Sequence, residues 1–521
     1  MFRVVCVVDK ERTALDRLAQ GVKPYHMNIE YHVVAVHPKR PSQEQLQEFI
    51  GLAQTADVID YQYFRTAEML RTNYPWLKDI PSILTHNNPY SIKESNWNSY
   101  QINVGNNNEI YGNLRQITST KVEKVPIVVD PHQWTFNDNY DYNRSIIMVA
   151  NRIESKKGIL PVALACKALG IKMYLVGAIS DMAYWQEVMA TQAVEFAQEV
   201  TDDELKALYY KAGILVCNSV DGFESGTMPV LEAIFCGVPV ISRAVGHVPD
   251  ILNGDNIMIQ DKAPDDVIRI QELISELLAD KKRIERVRHE AWLKIKDRNF
   301  ERRAYMYQRL YRSLAPAEPV SIIIPVANKP EITSKCLTAA LNQTYPNIEL
   351  LVVDDGVEPQ HQIVASIAHT ANVPIRYIRL GDDKYNLAKA RNIAAIEATS
   401  DILVFCDQRM IMDRDCVDEF VKHLEPKKWL YGSKGVKKDF IENISCINRN
   451  EFFTFGMFSE RCEQYGALSQ ETRLRARRQG IELKYIETAK ANPEGKSSNK
   501  RQKKYEIMAS KNWLWKAGLE G

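Results

Sequence analysis

The stretch Asp221–Ile251, DGFESGTMPVLEAIFCGVPVISRAVGHVPDI, carries the reading of the first part of the chain. A loop holding Gly222 and Gly226 runs into an apolar helix, Pro229–Phe235, which Gly237-Val-Pro239 ends before a buried strand. Loop, helix and strand in that order are a unit of an open α/β sheet. Backbone N–H groups at such a helix start lack partners within the helix and can hold a phosphate. Glu224 stands in the loop and Glu232 one to two turns inside the helix, so both can face one cleft. Carboxylates there suit hydrogen bonds from sugar and ribose hydroxyls. On these residues alone, Glu232 can equally be a surface position of the helix.

Working outward, Val149–Ile159 (VANRIESKKGI) follows a strand and places Arg152 and Lys157 in the loop and first turn beyond it. Ligands of open α/β sheets bind beyond strand ends, and two cations there would neutralise a diphosphate. A solvated basic loop has the same composition. Short β-branched runs alternate with helical patterns throughout: Phe2–Val8, His32–Val36, Val58–Tyr61, Ser82–Thr85 and Lys124–Val129, then Ser145–Ala150, Lys172–Val176, Gly213–Cys217 and Val238–Ser242. Thr201–Tyr210 and Asp265–Ala279 read as amphipathic helices, and Asp261–Tyr311 as a helix-rich closing segment. The linker Leu314-Ala-Pro-Ala-Glu-Pro319 precedes a fresh series, Val320–Val326, Glu349–Val353, Ile375–Leu380 and Ile402–Phe405. This predicts an α/β protein of three pieces, 1–140, 141–315 and 320–521, the first two being facing halves of one enzyme.

The 521 residues exceed what one core serves, and a net charge of +1 excludes a protein that is polyanion-coated as a whole. Nine cysteines are scattered singly, without C-x-x-C pairs, which points away from zinc and disulfides and towards a reducing compartment. The apolar run at the N-terminus ends in charges at Asp9–Arg12 and reads as a strand, not a signal peptide. No apolar stretch reaches the ~20 residues of a membrane span. The expectation is a soluble, cytoplasmic protein without a transmembrane segment.

Residues 1–315 resemble the retaining glycosyltransferases of family 4, which have the GT-B fold of two Rossmann-like domains. Glu224 and Glu232 match that family's E-x7-E pattern within its LEA…CG.PVI…VG…I context, and Arg152 and Lys157 match its phosphate-binding pair. Lys124–Trp134 resembles the interdomain stretch, Phe196–Tyr210 the base pocket and Asn299–Leu314 the closing helix. The resemblance implies that Glu224 binds the donor sugar, Glu232 the ribose, and Val200 the nucleobase through its backbone, with Gly226 and Thr227 in the donor-binding loop. Arg152 and Lys157 would hold the diphosphate and stabilise the leaving group, so that no cofactor or metal is needed. His86 occupies the place of the family's active-site histidine; a lone histidine after a strand is more often structural. The glycine-rich loop expected after the first strand is missing, since Asp9–Thr13 reads DKERT.

From Val320 to about residue 485 the chain resembles the inverting glycosyltransferases of family 2, with the GT-A fold, through Val320–Gly356, including Asn342–Pro346 and VVDDG, and through Leu387–Asn392. That family implies a D-x-D holding a divalent cation and an acidic pair that deprotonates the acceptor. Here Asp407-Gln-Arg409 keeps one carboxylate, and Leu468 and Ser469 stand where the acids should be, with Glu471 displaced. Asp354 and Asp355 are candidates for holding a nucleotide base; with Asp407 and Arg409 they make up the second candidate site.

The leading expectation is a hexosyl- or pentosyltransferase that moves sugar from a nucleotide-diphosphate donor, UDP-sugar by default, to an acceptor hydroxyl, with a pseudo-transferase domain behind it. The rivals are a bifunctional enzyme using Mg or Mn in its second module, a viral DNA-modifying transferase, and a non-enzymatic sugar-binding scaffold. Glycan, protein or lipid-linked acceptors are the family's choices. Nucleic acid is a minority reading that rests on the basic clusters Lys496–Lys504 and Arg473–Arg478.

Overall fold

The computed structural model describes residues 2–26, 29–140, 142, 145–198, 200–220, 227–252, 258–259, 266–371, 373–381, 386–434, 442–461 and 468–494. Two compact units result, one over residues 2–26 and 30–307, the other from Gln308 onward.

The first unit holds two six-stranded sheets. Strands β1 (Phe2–Val8), β2 (Ile29–Ala35), β3 (Val58–Tyr61), β4 (Ser82–His86), β5 (Ile102–Gly105) and β6 (Lys121–Lys124) lie in the order β2-β1-β3-β4-β5-β6. The second sheet takes β7 (Ser145–Ile153), β8 (Lys172–Ile179), β9 (Val194–Ala197), β10 (Ile214–Cys217), β11 (Val240–Arg243) and β12 (Met258–Ile259) in the order β12-β11-β10-β7-β8-β9. Its neighbouring strands pair in parallel. The chain builds outward from β7 through β8 and β9, then returns to the other side of β7 for β10. Between β7 and β10 the connecting segments diverge, which opens a crevice at the carboxyl ends of the strands.

The strand expected at Lys124–Val129 is corrected: the strand is Lys121–Lys124, and the residues after it leave the sheet. Pro126 has no N–H for a ladder, and the carbonyls of Val125 and Pro126 accept from Arg303 instead, at 3.4 and 2.6 Å. Ile127, Val128 and Val129 bury themselves in the core around the Met228–Phe235 helix. They are a crossing segment whose apolar residues serve the second sheet.

In the other unit, β13 (Val320–Val326), β14 (Ile348–Asp354), β15 (Ile375–Arg379), β16 (Ile402–Cys406), β17 (Met410–Met412), β18 (Lys428–Ser433), β19 (Ile444–Asn448) and β20 (Glu482–Pro493) form one mixed sheet, ordered β15-β14-β13-β16-β19-β18-β20-β17. Strands β13 to β16 pair in parallel, and β16 meets β19 antiparallel. All seven residues of β13 and of β14 are buried, as continuous apolar strands require when helices cover both faces. Among the described residues, no helix is long and apolar enough to cross a membrane.

Candidate functional site

A cavity opens at the crevice between β7 and β10. Val149, Asn151 and Lys157 line it from the β7 side, Leu215–Cys217 and Ser219 from the β10 side, and Thr227–Pro229 from the start of the Met228–Phe235 helix. Ala14, at the start of the Ala14–Val22 helix after β1, completes the wall.

The β7 side owes its shape to two glycines. Register slips between Val149 and Arg152, and a Cβ on Gly177 of β8 would lie 1.7 Å from the Ala150 carbonyl oxygen, so only glycine admits this bulge. Beyond it Arg152 is exposed, with Nε 3.4 Å from Glu154 Oε1. The 3-10 turn Ser155–Lys157 then presents Lys157 to the cavity and ends at Gly158, which is left-handed with φ of 60°. Arg152 and Lys157 thus flank one strand end, and Lys157 alone of the two reaches the cavity wall.

On the other side, Thr227 stands at the N-cap position of the Met228–Phe235 helix without a side-chain cap bond and is 5% exposed; its Oγ1 lies 3.3 Å from His247 Nε2. Burial pushes His247 down to about 3, so it is neutral near pH 7. Glu232 sits one turn into that helix, 7% exposed, and accepts a hydrogen bond from Tyr209 Oη at 2.9 Å. Burial raises its carboxyl to about 7, against the lowering effect of the Tyr209 bond and of Arg17. The surface-position reading of Glu232 is therefore out: it is a buried acid whose proton is in balance near neutrality.

Val200 is half-buried against the same core, just before Thr201, whose side chain forms a capping box with Glu204. His86, at the end of β4, is fully buried, with Nδ1 2.9 Å from Ser91 Oγ and Nε2 2.9 Å from Asn103 Oδ1. Both ring nitrogens are thus engaged, and burial lowers the ring to about 4, so it is neutral near pH 7. Glu224 and Gly226 lie outside the described residues. The sequence reading did not single out Asn151, Gly158, Asn218 or Ser219, although Gly158 after two lysines is a visible signal for a left-handed turn.

In the other unit, Asp354 at the end of β14 has no exposure and is saturated. It accepts from Gly356 N (2.9 Å), Gln360 N (2.8 Å) and Tyr377 Oη (2.5 Å), and pairs with Arg379 at 3.1 Å. Asp355 accepts from Asn386 N at 2.5 Å. Asp407 Oδ1 accepts from the buried Arg391 Nη2 at 2.6 Å; burial raises its carboxyl while Arg391 pulls it down. Gln408 is tied to Lys329 O and Thr333 Oγ1, and Arg409 Nε donates to Glu494 O at 2.9 Å. Glu471 is paired through both oxygens with Arg475, and Leu468 is buried.

Two family models match. Residues 133–292 match Glycosyl transferases group 1, and residues 321–450 match Glycosyl transferase family 2. Two glycosyl transferase regions lie in this one chain. The group 1 region contains the whole β7–β10 cavity except Ala14, and the family 2 region contains Asp354, Asp355, Asp407 and Arg409. Similar curated proteins include the glycosyltransferase AglE of Haloferax volcanii, 30% identical over 29% of this chain and 45% of its own. Chondroitin synthase of Escherichia coli is 29% identical over 28% of this chain and 23% of its own, and hyaluronan synthase of Pasteurella multocida 30% identical over 25% and 14%. The chain spans less than half the length of these relatives. Among solved structures, Anabaena HepE in complex with UDP superposes with a TM-score of 0.49 at 13% identity, over 60% of this chain and all of its own. Sucrose-phosphate synthase of Thermosynechococcus elongatus gives 0.48 at 15%, over 60% and 99%.

A divalent cation in the family 2 region would need the carboxylates of the D-x-D. The residues present do not fit one. The only acid of Asp407-Gln408-Arg409 is held by a guanidinium, and the position of the second acid carries a cation that would repel a metal.

Proposed function

We propose that the chain is a cytoplasmic retaining glycosyltransferase whose chemistry resides in the β7–β10 cleft of the group 1 region. A nucleotide-diphosphate sugar, UDP-sugar by default, binds there and gives its sugar to an acceptor hydroxyl of a glycan, protein or lipid-linked molecule. The bond from the anomeric carbon to the diphosphate oxygen breaks with its electron pair going to that oxygen. The acceptor oxygen forms the new bond, and its proton passes to the departing phosphate. Lys157 and Arg152 stabilise the charge that develops, and fixed cations at the leaving group make a metal unnecessary. Glu232 accepts from ribose hydroxyls, Glu224 from the sugar, and the helix start at Thr227–Met228 offers N–H donors to phosphate. His86 serves as a buried pillar that orients β4 and β5.

The observation that carries this reading is the cavity at the sheet's switch point with Lys157 and Thr227 in its wall. The family 2 region is a pseudo-transferase for acceptor binding or assembly, supported by the internal pairing of Asp354, Asp407 and Glu471. A bifunctional glycan synthase is the second reading, favoured by relatives named chondroitin and hyaluronan synthase. Donor hydrolysis across a nucleotide-sugar panel, with and without EDTA, separates them: turnover that survives EDTA and needs Lys157 supports the first, turnover that needs metal and Asp407 the second.

A further inference from the structure

We infer that Asn218 is the residue that positions Lys157 against the leaving diphosphate, an inference that rests on the donor-site reading of the cavity. The lysine lies in a short turn closed by local bonds, Lys157 N to Glu154 O at 3.0 Å and Gly158 N to Ser155 O at 2.9 Å. Those bonds shape the turn without fixing it to the neighbouring strand end. Asn218 does that. It is 1% exposed, sits between the cavity-lining Cys217 and Ser219, and donates from Nδ2 to Gly158 O at 2.9 Å. Two residues on, Val220 N donates to Lys156 O at 2.9 Å. The carbonyls on both sides of Lys157 are thus held by the 218–220 segment.

The contact leaves no slack. A Cβ on Gly158 would lie 2.3 Å from Asn218 O and 2.6 Å from its Nδ2. Lysine is a point charge on a flexible stem, so what it delivers to a developing oxyanion depends on where its backbone is fixed. The asparagine amide is the side chain for this task, being a neutral donor to a carbonyl. Leucine, of the same size, would leave the Gly158 carbonyl without its partner.

The test measures binding of UDP, GDP and ADP and of their nucleosides to the full chain in EDTA by calorimetry. The wild type binds one diphosphate at least tenfold more tightly than its nucleoside. Lys157→Ala removes most of that increment, and Asn218→Leu removes a comparable share while nucleoside affinity stays unchanged. The double variant is no weaker than the weaker single one, because both act on one contact. Should Asn218→Leu fail to fold, Asn218→Ser carries the test, with nucleoside binding as its folding control. If Asn218 variants keep the full increment while Lys157→Ala loses it, the positioning role is wrong and the donor site stands. If no diphosphate outbinds its nucleoside, or Lys157→Ala keeps the increment, the donor-site reading fails and takes this inference with it.

Discussion

Replacing Glu232 with glutamine should stabilise the protein, and only where the wild-type carboxyl is under pressure to ionise. In the folded chain burial raises this carboxyl from its ordinary 4.5 to about 7. Between those two values the folded state binds a proton that the unfolded state has released, so stability falls as pH rises. The stability contributed by the raised group is full below about pH 4.5 and lost as pH passes 7. A shift of this size corresponds to about 3 kcal/mol. Glutamine keeps the acceptor for Tyr209 Oη, which lies 2.9 Å from Oε2, and never ionises. The difference between Glu232→Gln and wild type in urea unfolding should therefore grow by roughly 2–3 kcal/mol from pH 5 to pH 8. Other acids titrate in both proteins and cancel. A difference that is the same at both pH values would refute the claim that Glu232 is the buried, proton-balanced acid described above.

Donor affinity of the wild type should rise as pH passes about 7, because ribose hydroxyls donate best to the ionised carboxylate; Glu232→Gln should flatten that profile in calorimetric titrations. Gly158→Ala should cost at least ~1 kcal/mol in denaturant unfolding, since the left-handed backbone and the 2.3 Å approach to Asn218 O both oppose a Cβ. Arg391→Ala should destabilise the family 2 region by about 1–3 kcal/mol, because it empties a buried site and strands two half-buried acids, Asp407, 2.6 Å away, and Glu442, 3.8 Å away; unfolding of the variant against wild type checks it.

Much of the architecture was legible because its signals are local. The runs Phe2–Val8, Val58–Tyr61 and Val320–Val326 are strands with the expected bounds, and β-branched residues between turn signals suffice to place them. Lys124–Val129 misled because its valines are just as apolar, yet Pro126 and the distant Arg303 decide its path. β5 (Ile102–Gly105) was missed, since its Asn103 and Gly105 are residues that strands disfavour and turns prefer. In the site, Lys157 was placed by its relation to a strand end and Thr227 by the family resemblance; both line the cavity. Asn218 was illegible: its role depends on a carbonyl sixty positions earlier in the chain, a separation over which no sequence period operates. The same holds for the partners of Asp354 and Asp407: no local pattern announces that Arg379 and Arg391 pair with them.

The most direct test of where the chemistry lies is donor turnover in EDTA by the full chain, compared among wild type, Lys157→Ala and Asp407→Asn. We expect the wild type and Asp407→Asn to release nucleoside diphosphate at equal rates without metal, and Lys157→Ala to fall at least tenfold. Turnover that stops with EDTA, falls with Asp407→Asn and survives Lys157→Ala would place the reaction in the family 2 region and contradict the account.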